Sequence, residues 1–153
     1  MNKDTQKIVT CLTYNNQAKE AVKFYTGIFK DSKIVSELEN DFVYVASILL
    51  HGQEFTLMNA GPSFKFEQGF SLMVKCNSQD EIDYYWEQLS KGGEKSQCGW
   101  LTDKFGVSWQ VFDPRMVEMF RDKNTAKAQK AMQAMMSMGK IVISDIEAAF
   151  NEG

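Results

Sequence analysis

The feature that most constrains the fold is an internal repeat, in which a strand, a helix and several short strands occur twice. Residues 8–14 read as a strand, and apolar residues at helical spacing follow between Ala18 and Phe29. About sixty residues later, residues 70–76 alternate as a strand and a second helical stripe follows at 82–89. Ser78 and Glu81 have the spacing of a capping box, which predicts the start of that second helix. The repeat predicts two structural units of the same kind.

Short strands follow each helix. The first group is predicted at residues 33–38, 42–50 and 54–59, with turns between them. The second group is predicted at residues 94–97, 100–103 and 107–112. The pattern therefore predicts an α+β fold in which two βαβββ modules form a cupped mixed sheet with helices on the outer face. Module one spans about 8–60, module two about 69–112, and a helical tail spans 113–153.

Length and composition are those of one folded domain. The chain has 153 residues, of which 44% are hydrophobic and 24% charged, so we expect a single globular domain over 1–153. The longest apolar run, at 43–50, is too short to cross a membrane, and residues 1–7 lack the apolar segment of a signal peptide. A net charge of −3 argues against a nucleic-acid partner. Cys11, Cys76 and Cys98 are widely spaced, which indicates reduced thiols and a cytoplasmic location.

Four segments resemble one known family. They are AKEAVKFYTGIF at 18–29, GPSFKF at 61–66, DEIDYYWEQLSKGG at 80–93 and, most specifically, QCGWLTDKFGVSWQVF at 97–112. These segments look like the PhnB-like branch of the vicinal-oxygen-chelate superfamily, which includes glyoxalases, bleomycin-resistance proteins and extradiol dioxygenases, and the resemblance extends over the tail at 131–149. It implies paired βαβββ modules and, commonly, a homodimer.

The same resemblance raises the question of a metal, because enzymes of this superfamily hold a divalent ion with His, Glu or Gln side chains. At the matching positions this chain has Ile8 or Thr10, Gly69 or Ser71, and Gln110. One amide oxygen does not hold a catalytic ion, which needs about three protein ligands. The only histidine, His51, lies in a predicted turn. We therefore expect no metal and no other cofactor.

Strand parity gives the expected lining of the cup. If Gln110 points inward, alternate residues on the same strand do so too, and matching positions on other strands join them. The expected ligand-binding residues are Gln110, Ser108, Phe112, Ser71, Met73, Thr10, Leu12, Tyr14, Cys98 and Trp100. The alternative is that bulky residues here fill the space as core. Cys98 is either a nucleophile or a buried structural cysteine, and no catalytic residue is assigned.

Two functional classes remain open. The first is a metal-free protein that binds a small molecule, and the second is a metal-assisted lyase, isomerase or dioxygenase, or an enzyme that uses the Cys98 thiol. Family members are often labelled 3-demethylubiquinone methyltransferases, but no glycine-rich turn follows a strand, since Gly92-Gly93 follows a helix. The methionines at 132, 135, 136 and 138 are either a contact surface of a homodimer or ordinary core.

Overall fold

A computed structural model describes residues 6–153 of the chain. The chain divides into two compact units, of which one ends at Lys65 and the other begins at Phe66. The first unit contains β1 (Thr10–Tyr14), α1 (Ala18–Ile28), β2 (Ser32–Glu39), β3 (Tyr44–Leu50) and β4 (Gln53–Asn59). The second contains β5 (Ser71–Lys75), α2 (Gln79–Ser90), β6 (Glu94–Lys95), β7 (Trp100–Thr102), β8 (Ser108–Phe112), α3 (Arg115–Phe120), α4 (Thr125–Met136) and α5 (Ile143–Glu152).

The two units repeat one sheet topology. The strand order is β1-β4-β3-β2 in the first sheet and β5-β8-β7-β6 in the second. In each sheet the first strand pairs in parallel with the last, and the other neighbours are antiparallel. The α+β fold with two βαβββ modules and a helical tail is thus confirmed. A single cup made by both modules, and a single domain over 1–153, stay predictions.

The core of the first unit lies between α1 and one face of its sheet. Alternate residues of β3, from Tyr44 to Leu50, are buried, as strand geometry requires when one face is covered. The helix buries its apolar stripe, which includes Val22 and Tyr25. Its first turn is held by Asn59, whose Oδ1 accepts from the backbone N–H of Ala18 at 2.8 Å.

The orientation expected for β1 was wrong, because Thr10, Leu12 and Tyr14 share one parity and lie on the face that the helix covers. Leu12 and Tyr14 are 3% and 2% exposed, and the Tyr14 hydroxyl donates to the Tyr25 hydroxyl of α1 at 3.2 Å. Both side chains therefore lie on the helix-covered face and not on the open face. Cys11 and Thr13 occupy the opposite parity, because successive side chains of a strand point to opposite faces.

In the second unit α2 covers the sheet as predicted. The Ser78 hydroxyl accepts from the backbone N–H of Glu81 at 3.2 Å, which caps the helix. Trp86 and Leu89 are buried on its inner face, and Trp109 and Val111 of β8 are buried too. Phe70, the first residue of the strand predicted at 70–76, lies outside β5 and is 56% exposed.

The turn between β7 and β8 is organised by a buried carboxylate. Asp103 is 2% exposed, and its Oδ1 accepts from the backbone N–H groups of Phe105 and Val107. Its Oδ2 accepts from the Trp109 indole at 2.9 Å. These bonds satisfy a carboxylate that burial would otherwise penalise, so Asp103 holds the turn together.

The tail is joined to the second unit by backbone hydrogen bonds. The N–H groups of Cys98 and Gly99 donate to the carbonyl oxygens of Met138 and Gly139, each at 2.8 Å, and the Gly99 carbonyl accepts from Val111 of β8. Only glycine fits at 99, because its φ is +82° and an added Cβ would lie 2.7 Å from the Val111 carbonyl oxygen. Residues 138–143, which we call the strap, thus lie beside the turn that leads into β7.

A side chain of α2 fixes the other end of the strap. Gln79 donates from Nε2 to the Ile141 carbonyl at 2.8 Å and accepts with Oε1 from the Ile143 N–H at 3.0 Å. Ile141 and Ile146 are fully buried. The tail is therefore part of the core of the second unit.

None of the helices between residues 6 and 153 is long and apolar enough to cross a membrane.

Candidate functional site

Each sheet has one face that its helix leaves uncovered, and these open faces carry the candidate site. On the second sheet Ser71 pairs with Ser108, Met73 with Gln110, and Lys75 with Phe112. Partners in register lie on the same face, so the structure places these residues together. Ser108 is nevertheless buried, at 3% exposed, whereas Met73 is 55% exposed.

The middle of this open face is a row across three strands. Trp100 of β7 pairs with Gln110 of β8, which pairs with Met73 of β5. The Gln110 Nε2 donates to the Ser71 hydroxyl at 3.0 Å. That bond fixes the amide and commits one of its protons, while the Ser71 hydroxyl keeps its own proton for donation. The row therefore offers an aromatic surface beside an oriented pair of polar groups.

The cysteines differ in their surroundings. Cys98 is partly buried, with a φ of +60°, and its backbone N–H is bound by the strap. Burial raises the pKa of the Cys76 thiol to about 12, and the nearby charges of Glu81 and Asp113 act in the same direction. Cys76 is thus a protonated core residue at neutral pH. The described contacts of Cys98 assign it a place in the turn and no chemistry.

The open face of the first sheet carries a row of small polar side chains. Strand register aligns Ser36 of β2, Ser47 of β3, Thr56 of β4 and Cys11 of β1 across all four strands. Three of them, Ser36, Ser47 and Thr56, line a hollow of about 280 Å³, together with Glu37, Leu38, Val45 and Ala46. The volume is close to the lower end for small-molecule sites.

Ser47 has an unusual environment within this hollow. Its hydroxyl oxygen is buried and has no hydrogen-bond partner among residues 6–153. Buried polar atoms in folded proteins are almost always bonded, so this hydroxyl has an unused bonding capacity. Sequence reasoning missed the hollow, because the row exists only once the register of four strands is known. Of the expected site residues, Thr10 lies on β1 but not among those that line it.

The side chains do not fit a divalent metal. No three His, Cys, Asp or Glu side chains within the described chain are grouped so that they could hold an ion. Gln110 donates to Ser71 through its Nε2 and so offers a metal one amide oxygen at most. His51 is exposed in the two-residue turn between β3 and β4, where its Nδ1 lies 3.8 Å from Asp31. A divalent ion would lack the three protein ligands that a catalytic site needs.

Comparison with known proteins identifies the family. The model of a family described as 3-demethylubiquinone-9 3-methyltransferase matches residues 6–112. The chain belongs to this family. The PhnB protein from Bacillus cereus is 35% identical over 69% of this chain and 98% of its own, with a TM-score of 0.65. Membership confirms the predicted PhnB-like branch of the vicinal-oxygen-chelate superfamily.

More distant structures share the fold. A Pseudomonas aeruginosa protein, PA1353, is 21% identical over 70% of this chain and 96% of its own, with a TM-score of 0.57. The fosfomycin resistance protein FosX from Listeria monocytogenes, in complex with Mn(II) and sulfate, is 14% identical over 71% of this chain and 92% of its own, also with a TM-score of 0.57. No curated protein matches the chain.

The family match ends at Phe112, the last residue of β8, and so does not include the tail. The resemblance expected for residues 131–149 is therefore not part of the match.

Proposed function

We propose that the protein binds a small molecule on the open faces of its sheets, without a catalytic metal. The observation that carries this proposal is the hollow of about 280 Å³ on the first sheet with the buried, unpartnered hydroxyl of Ser47. A ligand that donates to or accepts from this hydroxyl would remove an energetic cost that the protein alone bears. Leu38 and Val45 supply apolar contact beside it.

A fragment panel tests the proposal. Indole, phenol, benzamide and related neutral fragments would be screened against the protein by ligand-observed NMR, and hits titrated against Ser47→Ala. We expect at least one hit whose affinity falls about 5-fold in that variant, the loss of about one hydrogen bond. Ser144→Ala, an exposed change on α5, is the matched control and should leave the affinity unchanged. Hits that ignore both changes would place binding elsewhere.

Metal content is a separate test. The expectation from the residues is that the purified protein carries no stoichiometric divalent ion. Elemental analysis that finds about one zinc, nickel, manganese or iron per chain would contradict it and favour the alternative, a metal-assisted lyase, isomerase or dioxygenase. The fold shared with FosX supports that alternative, and the ligand positions of this chain weigh against it.

The proposal includes a homodimer. The strands β1 and β2 are the edges of the first sheet, and β5 and β6 are those of the second, and proteins tend to cover or pair such edges. Met132 and Met136 on α4 are 41% and 62% exposed, which supplies an apolar patch for a two-fold contact. Light scattering should report about twice the 17.5 kDa chain mass. A monomer at micromolar concentration would refute the dimer and leave the binding proposal intact.

A cytoplasmic location is proposed from the thiols. Cys11, Cys76 and Cys98 are all free cysteines, and reduced thiols are typical of the cytoplasm. The test is fractionation of cells that produce the protein. Recovery of the protein in an extracytoplasmic fraction would contradict a cytoplasmic location.

A further inference from the structure

The open face of the second sheet has an uneven distribution of charge. Lys75 lies at one corner, in register with Phe112 of the neighbouring strand. Glu94 lies at the opposite corner, because it pairs with Thr102 on β6 and β7. The two are three strand spacings and about four residues apart, so their Cα atoms are separated by about 20 Å. The remaining residues of the face are uncharged.

Lys75 is available to an anion. Among the described residues the lysines at 19, 95 and 140 are found in ion pairs with carboxylates, and Lys75 is not one of them. Its side chain is exposed, at the edge strand β5. An ammonium group on a face without a nearby carboxylate attracts negative charge, with a strength that salt reduces.

The aromatic row lies within reach of this cation. Trp100 lies two strands away from Lys75 and is displaced by two residues along the strand direction, so their Cα atoms are about 12 Å apart. Both side chains are long, so a two-ring molecule is long enough to lie against the Trp100 indole and to bring an anionic group to the Lys75 ammonium. Gln110 lies beside Trp100 in the same row, and its amide donates to the Ser71 hydroxyl on the side of the row away from Lys75.

We propose that the ligand taken by this face is a flat aromatic or heteroaromatic anion, with its ring on Trp100 and its negative group at Lys75. This inference rests on the proposed small-molecule binding and names the chemical class of the ligand. The anionic group is a carboxylate, a sulfonate or a phosphate, because recognition requires only a negative charge at one end of the ligand and a ring at the other.

Three probes of one shape test the charge. They are 2-naphthoate, its neutral analogue 2-naphthamide, and the cation 2-naphthylmethylamine, each titrated into the full-length protein by calorimetry and followed by ¹H–¹⁵N NMR. We expect 2-naphthoate to bind about 3- to 10-fold more tightly than the amide, with the amine weakest. The Trp100 indole and Gln110 amide signals should shift, and the preference should shrink at high salt.

Variants separate the two ends of the ligand. Lys75→Gln should abolish the preference for 2-naphthoate while leaving the amide affinity unchanged, and Trp100→Leu should weaken all three probes about 10-fold. Lys95→Gln is the matched control, since Lys95 pairs with Leu101, lies on the other parity of the same sheet and contacts Glu87. It should change no affinity.

The outcomes distinguish this inference from the function on which it rests. Equal affinity for the three probes, or a preference for the amine, overturns the anionic class and leaves small-molecule binding in place. Failure of all three probes to bind at millimolar concentration overturns the inference, while the Ser47 fragment experiment decides separately whether the protein binds small molecules at all.

Discussion

Replacing Ser47 with alanine should make the protein more stable, although the change removes a polar group from a well-formed strand. The hydroxyl of Ser47 is buried without a partner in the described structure, whereas in the unfolded chain water bonds it. A buried hydroxyl that lacks a partner costs about 1–3 kcal/mol. Alanine removes that cost at the loss of a few atomic contacts, so we expect the free energy of unfolding to rise by about 1 kcal/mol. For a chain of this size the melting temperature would rise by about 2–4 °C.

The measurement is urea and thermal denaturation followed by far-ultraviolet circular dichroism, on protein refolded from urea so that no ligand remains. All three tryptophans lie in the second unit, so tryptophan fluorescence would not report on Ser47 directly. Ser78→Ala provides a control of opposite sign, because the hydroxyl of Ser78 caps α2 and its loss should cost about 1 kcal/mol. If Ser47→Ala were instead destabilising by a similar amount, the hydroxyl would have a structural partner and the argument for a binding hollow would fail.

Other expectations concern the second unit. Trp86→Ala should lower the free energy of unfolding by about 3–5 kcal/mol because Trp86 is buried on the inner face of α2, and a loss below about 1 kcal/mol in urea melts would be inconsistent with that burial. Gln79→Leu should speed amide exchange at Cys98 by loosening the strap, and an unchanged exchange rate would show that the strap does not depend on Gln79. Burial of Asp113 opposes its ionisation, but the hydrogen bonds and charge of Arg115 outweigh this effect and hold the pKa of the carboxyl below its ordinary value. The ionised Asp113 carboxyl therefore stabilises the fold above the ordinary carboxyl pKa of about 4, and this stabilisation is lost as the pH falls through the lowered pKa. The melting temperature of Asp113→Asn should therefore fall less between about pH 6 and pH 3 than that of the unchanged protein. An equal fall in melting temperature for the two proteins would show that the Asp113 carboxyl does not contribute in this way.

The repeat made the fold predictable from sequence. The two helical stripes, the cap at Ser78 and the turns between short strands each reflect local geometry, and local geometry is what side-chain spacing records. The order of the strands within each sheet was not predicted, and the structure shows that both modules have the same order. Element ends shifted by a few residues, as at β1, which begins at Thr10 and not at residue 8.

The faces of the strands were less predictable. Leu12 and Tyr14 were assigned to the open side from the family's ligand positions, yet their apolar alternation with Cys11 and Thr13 favours the helix side, where the structure places them. A shift of one residue exchanges the two faces of a strand, so an error of alignment reverses every side chain. The row of small polar side chains that includes Ser47 depends on the register between strands, which a single sequence does not record.

The strap was also absent from the sequence-based expectations, for a different reason. Its contacts with Cys98 and Gly99 are made by backbone groups, which every residue possesses and which leave no pattern of side chains. Gly99 was the residue of the sequence that could have indicated these backbone contacts. A glycine with positive φ and no room for a Cβ marks a close approach of two backbone segments, but the partner segment is not evident from the glycine alone.

The strap also ties the completion of the second unit to the order of synthesis. The ribosome makes residue 98 well before residue 139, and at about 5–20 residues per second the interval is roughly 2 to 8 seconds. During that time the N–H groups of Cys98 and Gly99 have no strap to bind, and the core position of Ile141 is empty. The first unit has all of its strands by then. Folding during translation would therefore proceed in two stages, and the second stage would be completed only when the strap, residues 138–143, has left the ribosome.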